Sequence, residues 1–281
     1  MSMLFIVPTP IGNLGDITDR ARSTLKSADF IAAEDTRVTL KLLNHLEIKK
    51  PLVSYYEHNR EQSGQRIVSR IASGETCALV TDAGTPTISD PGADLAALCI
   101  ERGLPVVALP GPCAAVTALS VSGLPVGRFC FEGFLSVNKK NRETHLNSLR
   151  NEPRVMVFYE APHKLKKTLS DLLAALGDRS MVVCRELTKL HEEVIRTTLS
   201  AAVTHFEQFP PKGEFVLVVA GATPAPPVEH LLENAVSMAL SLIKQGQSPR
   251  DAVRTAAGQT GARKSDVYAK VLKAETKAET N

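Results

Sequence analysis

Cysteine is scarce in this sequence and scattered. The five thiols, Cys77, Cys99, Cys113, Cys130 and Cys184, include no C-x-x-C pair and have no histidine at ligand spacing. An odd number set among apolar residues reads as reduced, buried thiols, which points to a cytoplasmic protein without a structural metal. Long apolar runs are also missing. None approaches the ~20 residues that cross a bilayer, so no membrane partner is expected. The opening stretch MSMLFIVPTPIGNLGD lacks the basic start and long apolar core of a signal peptide. Its short apolar run meets Pro8 at once and reads as a first strand. Charge of one sign is wanting too: 33 Lys+Arg against 30 Asp+Glu give a formal net charge of +3. That permits an RNA partner without arguing for one. No strand is followed by G-x-G-x-x-G, which counts against an NAD-type Rossmann enzyme and against the common Rossmann methyltransferase loop, and no P-loop occurs.

What is present is ordinary globular protein: 281 residues, 43% hydrophobic and 22% charged, long enough for two domains. Strand-like runs at 4–7, 30–33, 52–55, 76–81 and 106–108 alternate with helical spacing at 18–27, 38–46, 62–73 and 94–102. That alternation predicts an α/β fold with a mostly parallel sheet covered on both faces. Ligands of such sheets bind beyond the carboxyl ends of the strands. From Phe129 the texture changes. Runs at 154–159, 181–183, 194–198 and 215–219, with one helix at 163–176, predict a second α/β domain with a mixed sheet. The expected domains are therefore 1–124 and 125–222. A proline-rich hinge at 222–230 then leads to a small helical, helix-turn-helix-like tail over 229–281.

The densest motif is VTDAGTPTISDPG at 80–92, which follows a strand. Its glycines let a ligand approach the backbone and its acids can accept hydrogen bonds, although each Asp is equally suited to capping the next helix. ALPGPCAAVTAL at 108–119 runs from a strand into a helix rich in small residues, suited to a flat ring or to close helix–sheet packing. AAEDTR puts Glu34, Asp35, Thr36 and Arg37 at a strand end. There Asp35 is either an N-cap or a group that orients a hydroxyl. In YYEHNREQSGQR at 55–66, His58 is of a residue type that exchanges protons near neutral pH, and Tyr55, Tyr56 and Arg60 could meet RNA. Glu160, Glu186 and Lys189 read as a salt-bridge set, and His163 and His191 have no metal-ligand spacing.

Taken in order, VPTPIGNLGDIT, AEDTR, YYEHN, TDAGTPTISDPG, LPGPCAAVTAL, EGFL, FYEAPHKL, CRELTKLHEE and KGEFVLVV resemble the tetrapyrrole methylase family over about residues 3–220. More narrowly they resemble its branch acting on small-subunit ribosomal RNA. The resemblance implies a class III methyltransferase fold, a homodimer, and S-adenosylmethionine held between two α/β domains. It implies that Asp82, Ala83, Gly84, Pro86, Ile88, Ala114 and Ala115 line the cofactor, with Tyr159 and Leu187 from the second domain and Pro10 closing one side. The implied substrate is the 2′-hydroxyl of a cytidine in the decoding region of 16S rRNA. With Asp35 as base or orienting acceptor and His58 or Asp82 in reserve, Arg37 and the basic loop residues Lys139, Lys140 and Arg142 would grip RNA phosphate. The rival readings are a tetrapyrrole C-methylase of the same fold and a non-enzymatic nucleic-acid-binding protein.

Overall fold

The computed structural model describes residues 2–223 and 228–279. Much of the proline-rich stretch expected as a hinge, 224–227, lies outside the described residues. Two compact units result, Met1–Ala222 and Thr223–Asn281.

The larger unit begins with five parallel strands: β1 (Leu4–Ile6), β2 (Phe30–Ala33), β3 (Leu52–Ser54), β4 (Cys77–Val80) and β5 (Val106–Ala108). Their order is β3-β2-β4-β1-β5. Parallel neighbours need crossovers, and α1 (Asp19–Ser27), α2 (Thr36–His45), α3 (Arg60–Ala72) and α4 (Gly92–Glu101) supply them. Successive strand residues point to opposite faces. Leu4, Ile6, Phe30, Ala32 and Leu79 join a core with α3 and α4, whereas Ile31, Ala33, Ala78 and Val80 join another with α1 and α2. Because both faces are covered, these strands read as unbroken apolar runs.

Helix α5 (Ala114–Ser122) leaves this sheet and packs on the next one. Ala115, Ala118 and Leu119 share a core with Val157, Val182 and Val218. The second sheet comprises β6 (Phe129–Gly133), β7 (Val155–Glu160), β8 (Ser180–Arg185), β9 (Glu193–Thr198) and β10 (Phe215–Val219), in the order β6-β7-β10-β8-β9. Only β6 and β7 pair in parallel; the other pairs are antiparallel. Its other face is covered by α6 (Lys139–Ser148), α7 (Pro162–Leu176) and α8 (Leu199–Gln208), which contribute Leu146, Leu165, Leu169, Ala202 and Phe206 to one core.

Two expectations need correction. The stretch after Phe134 is not a basic loop: Asn138 accepts from the Asn141 N–H and starts α6 at Lys139. The strands β9 and β10 are not directly joined either, since Thr198 caps α8 between them. In α8 the apolar residues Leu199, Ala202, Val203 and Phe206 have the three-and-four spacing of a helix. In α6 only Arg142 and Leu146 are buried, so the inward stripe is half charged and escapes a search for apolar periodicity.

The smaller unit is helical: α9 (Val228–Lys244), α10 (Pro249–Thr260) and α11 (Lys264–Glu279). Ser248 caps α10, and Gly261 in the left-handed region ends it. Ala235, Ala239, Val253, Ala256, Val267 and Val271 form its core. Among the described residues, no helix is long and apolar enough to cross a membrane.

Candidate active site

The site grows from the carboxyl ends of the parallel strands. Beyond β1 and β4 two loops cross as a two-residue bridge. The Thr9 N–H donates to the Gly84 carbonyl at 2.9 Å and the Gly84 N–H returns the bond at 3.0 Å. Gly84 has φ +87°, a conformation costly for any side chain, so glycine is needed where the loop folds back. The Thr85 hydroxyl donates to the Pro112 carbonyl at 2.8 Å, tying this loop to the one after β5. Asp90 clamps the far end by accepting from the N–H groups of Thr87 and Gly92 at 2.8–3.0 Å. Thr87 itself sits at φ +80°, an uncommon place for a β-branched residue and a mark of stored strain. Burial pushes the Asp90 carboxyl up from its ordinary range.

Three acids meet after β2 and β4. Glu34 accepts from the Thr81 hydroxyl at 2.6 Å. Asp82 accepts from the Asp35 N–H at 3.1 Å, and its carboxyl is raised, first by burial and then by the charge of Glu34. Asp35 faces the other way. It caps α2 through the Arg37 N–H at 2.8 Å and holds the Arg37 guanidinium at 2.6–3.2 Å. The Arg37 hydrogen bonds keep its carboxyl at about 2.

The second sheet supplies the opposite wall. The Tyr159 hydroxyl accepts from the Ala115 N–H at 3.0 Å, which pins the start of α5, and burial pushes that phenol up to about 12. Its ring meets Phe131 and Phe134 edge-on, at 5.0 and 5.7 Å between centroids. Between β8 and β9 the chain turns with Glu186 and Thr188 at φ +51° and +66°, on either side of Leu187. Lys189 anchors this strained loop to Glu186 at 2.9 Å and to Glu214 at 3.1 Å. Gly12, from the first loop, lies directly against it. A Cβ there would come within 2.4 Å of Lys189 Cγ, 2.9 Å of Thr188 Oγ1 and 3.2 Å of the Leu187 carbonyl oxygen.

These parts enclose a cavity of about 510 Å³, inside the roughly 300–1,000 Å³ of small-molecule sites. Of the residues expected to hold a cofactor, Asp82, Ala83, Gly84, Ile88, Ala114, Tyr159 and Leu187 line it. Pro10, Pro86 and Ala115 do not; each stands next to a residue that does. Asp35, Arg37 and His58 are outside the lining. His58 lies on the turn before α3, edge-on to Tyr56 at 6.2 Å. Thr81, Ile11, Phe134 and Val216 also line it without having been singled out in the sequence, and so do Glu34 and Glu160, for which the sequence suggests no cofactor role. The strand-end position of Glu34, directly after β2, is the signal that assigns it to the site. Glu160 carries the same signal, as the last residue of β7, with partners close by in sequence at Ala161 and Thr168.

Three further expectations are corrected. Tyr55 is buried, with its hydroxyl donating to the Pro91 carbonyl at 3.3 Å, and so cannot stack on RNA. Glu160 does not join the ion pairs of Lys189. Only 4% exposed, it accepts from the Ala161 N–H at 2.9 Å and the Thr168 hydroxyl at 2.5 Å. Arg142 is 7% exposed and cannot reach phosphate: it donates to Asp171 at 2.6 Å and to Thr168 at 2.8 Å. A hydrogen-bonded chain therefore runs from the half-buried Asp171 through buried Arg142 and Thr168 to Glu160, ending at the cavity wall. Arg142→Ala is expected to cost ~1–3 kcal/mol, read as a lower urea midpoint. That is below the range for fully buried pairs, because the Asp171 side chain is 31% exposed. An unchanged midpoint would mean the chain carries no stability.

Comparison with known proteins places this geometry. The model of the Tetrapyrrole (Corrin/Porphyrin) Methylases matches residues 3–203. A Synechocystis protein named ribosomal RNA small subunit methyltransferase I is 47% identical over 276 residues, covering 98% of this chain and 99% of its own. A Halalkalibacterium halodurans protein of the same name is 46% identical, covering 94% and 93%. Among solved structures, uroporphyrin-III C-methyltransferase from Thermus thermophilus complexed with S-adenosylhomocysteine aligns with a TM-score of 0.55. It shares 17% identity and covers 77% of this chain and 96% of its own, a likeness of fold alone.

Proposed function

The chain belongs to the tetrapyrrole methylase family, and on that premise we propose that it transfers a methyl group from S-adenosylmethionine to the 2′-hydroxyl of a cytidine in the decoding region of 16S rRNA. Its relatives near 47% identity carry the coarser statement, S-adenosylmethionine-dependent methylation of small-subunit rRNA. The nucleoside and the oxygen come from the sequence resemblance.

The observation that carries the reading is one cavity with two chemically different walls. Ile11, Ala114, Tyr159, Leu187 and Val216 form an apolar surface suited to a flat ring. Glu34 and Asp82 add carboxylates suited to a cationic sulfonium or ammonium group. The residues present therefore fit S-adenosylmethionine. When bound, it supplies a methyl group already activated by positive charge.

A ribose hydroxyl is a weak nucleophile at neutral pH and must lose a proton as the new O–C bond forms and the S–C bond breaks. Asp82 takes that proton in this reading. It lines the cavity, it makes no ion pair among the described residues, and burial together with Glu34 raises its carboxyl toward the working pH, where a base is most effective. Asp35 is the weaker choice, because Arg37 occupies it and holds it at about 2. The Asp35 N–H instead orients Asp82. Lys139 and Lys140, exposed on α6, are assigned to RNA phosphate.

The test is methyl transfer from radiolabelled S-adenosylmethionine to small ribosomal subunits lacking the modification, followed by nuclease mapping. Label in a 2′-O-methylcytidine is the expected result. Label on a base would keep the enzyme class and overturn the oxygen. Label only in a tetrapyrrole would overturn the substrate.

A further inference from the structure

Along α6 and the turn after it, Lys139, Arg142, Glu143, Leu146, Asn147 and Arg150 recur at intervals of three and four, so they share one face. That face and α7 border a groove of about 310 Å³, to which α7 contributes Lys167 and Asp171. The groove is distinct from the cofactor cavity and shares no lining residue with it.

Its charge is unusual for this protein. Its lining holds four Lys/Arg (Lys139, Arg142, Arg150 and Lys167) against two carboxylates, whereas the whole chain is nearly balanced, at a net +3. Both carboxylates are engaged: Asp171 holds the buried Arg142, and Glu143 lies 3.9 Å from Lys139. Arg150 and Lys167 are exposed, and their side chains make no hydrogen bond or ion pair among the described residues, although carboxylates stand in the same groove. Unpaired cations on both sides of a concave surface, one on α7 and one in the turn after α6, with the two helices braced by the half-buried Arg142–Asp171 pair, are what a polyanion backbone requires.

We infer that the α6–α7 groove is a docking site for the phosphate backbone of the substrate RNA, with Arg150 and Lys167 as its principal contacts. Resting on the proposed rRNA substrate, this identifies a second RNA-contacting surface away from the reacting atoms. Arg142 is a positioning residue here: it fixes α6 against α7 and touches no phosphate. The same hydrogen-bonded chain joins the groove to Glu160 in the cavity wall, so docking and cofactor binding share one framework.

The test compares Arg150→Ala/Lys167→Ala with Lys26→Ala/Lys49→Ala, which removes equal charge from exposed positions elsewhere. Wild type and both variants are assayed on unmodified small subunits at several salt concentrations. The groove variant is expected to raise KM at least fivefold and to lower the slope of log affinity against log salt by about two, one for each phosphate no longer neutralised. Its affinity for S-adenosylhomocysteine should equal that of wild type, which shows that the fold is intact. The control variant should leave KM and slope in place. Equal KM and slope in both variants, with wild type still labelling rRNA, would overturn the groove alone. A wild type that labels no rRNA would overturn the substrate reading and the groove with it.

Discussion

Asp82→Asn is expected to lower methyl transfer by ~10²–10⁴-fold, the range for losing a positioned general base. Affinity for S-adenosylhomocysteine should change far less, since the apolar wall that would carry most of the contact is untouched. The pH profile separates this role from a merely structural one. A base works only when ionised, so the wild-type rate falls as pH drops through the Asp82 pKa. Because burial and Glu34 raise that pKa, the fall begins at a higher pH than for an ordinary aspartate. The limb should vanish in Asp82→Asn. Asp35→Asn should keep it, since Asp35 titrates at about 2 and asparagine caps a helix nearly as well as aspartate. Full turnover by Asp82→Asn, or loss of the limb in Asp35→Asn, would return the proton to another group.

Gly12→Val is expected to weaken S-adenosylhomocysteine binding at least tenfold, or about 1.4 kcal/mol. The added side chain would enter the space of Lys189, Thr188 and the Leu187 carbonyl. Lys189 can swing aside, because its contact is through a flexible stem. The Leu187 carbonyl cannot, and Thr188 is already at φ +66° with its hydroxyl buried and unpaired among the described residues. Relief therefore comes by moving the loop that brings Leu187 to the cavity. Calorimetric titration measures the effect. Binding as tight as wild type would mean that Leu187 contributes nothing to cofactor affinity.

Much of the architecture was legible because it is written locally. The β2 run FIAA, the β5 run VVA and the β10 run FVLVV are short, apolar and bounded by turn residues, and their limits emerge as expected. The Asp/Gly/Pro loop after β4 stands out because its glycines and acids crowd one strand end, and it lines the cavity. Helix α6 was not legible, since its buried stripe contains an arginine whose partner is 29 residues away.

By itself the sequence determined the α/β fold, the loops that line the cavity and the family, all of which depend on residue order and short-range pattern. Only the tertiary structure decided which of two adjacent acids faces the cavity. Glu34 and Asp35 are neighbours in the chain, but a strand end sends consecutive side chains to opposite sides. Asp35 is drawn to the first turn of α2 and to Arg37, leaving Glu34 and Asp82 at the site. The same holds for Arg142 and Lys139: one turn of helix separates them, yet burial against Asp171 and Thr168 gives one to the core and leaves the other to solvent. A side chain's role follows from which groups compete for it in space, and those groups come from distant parts of the chain.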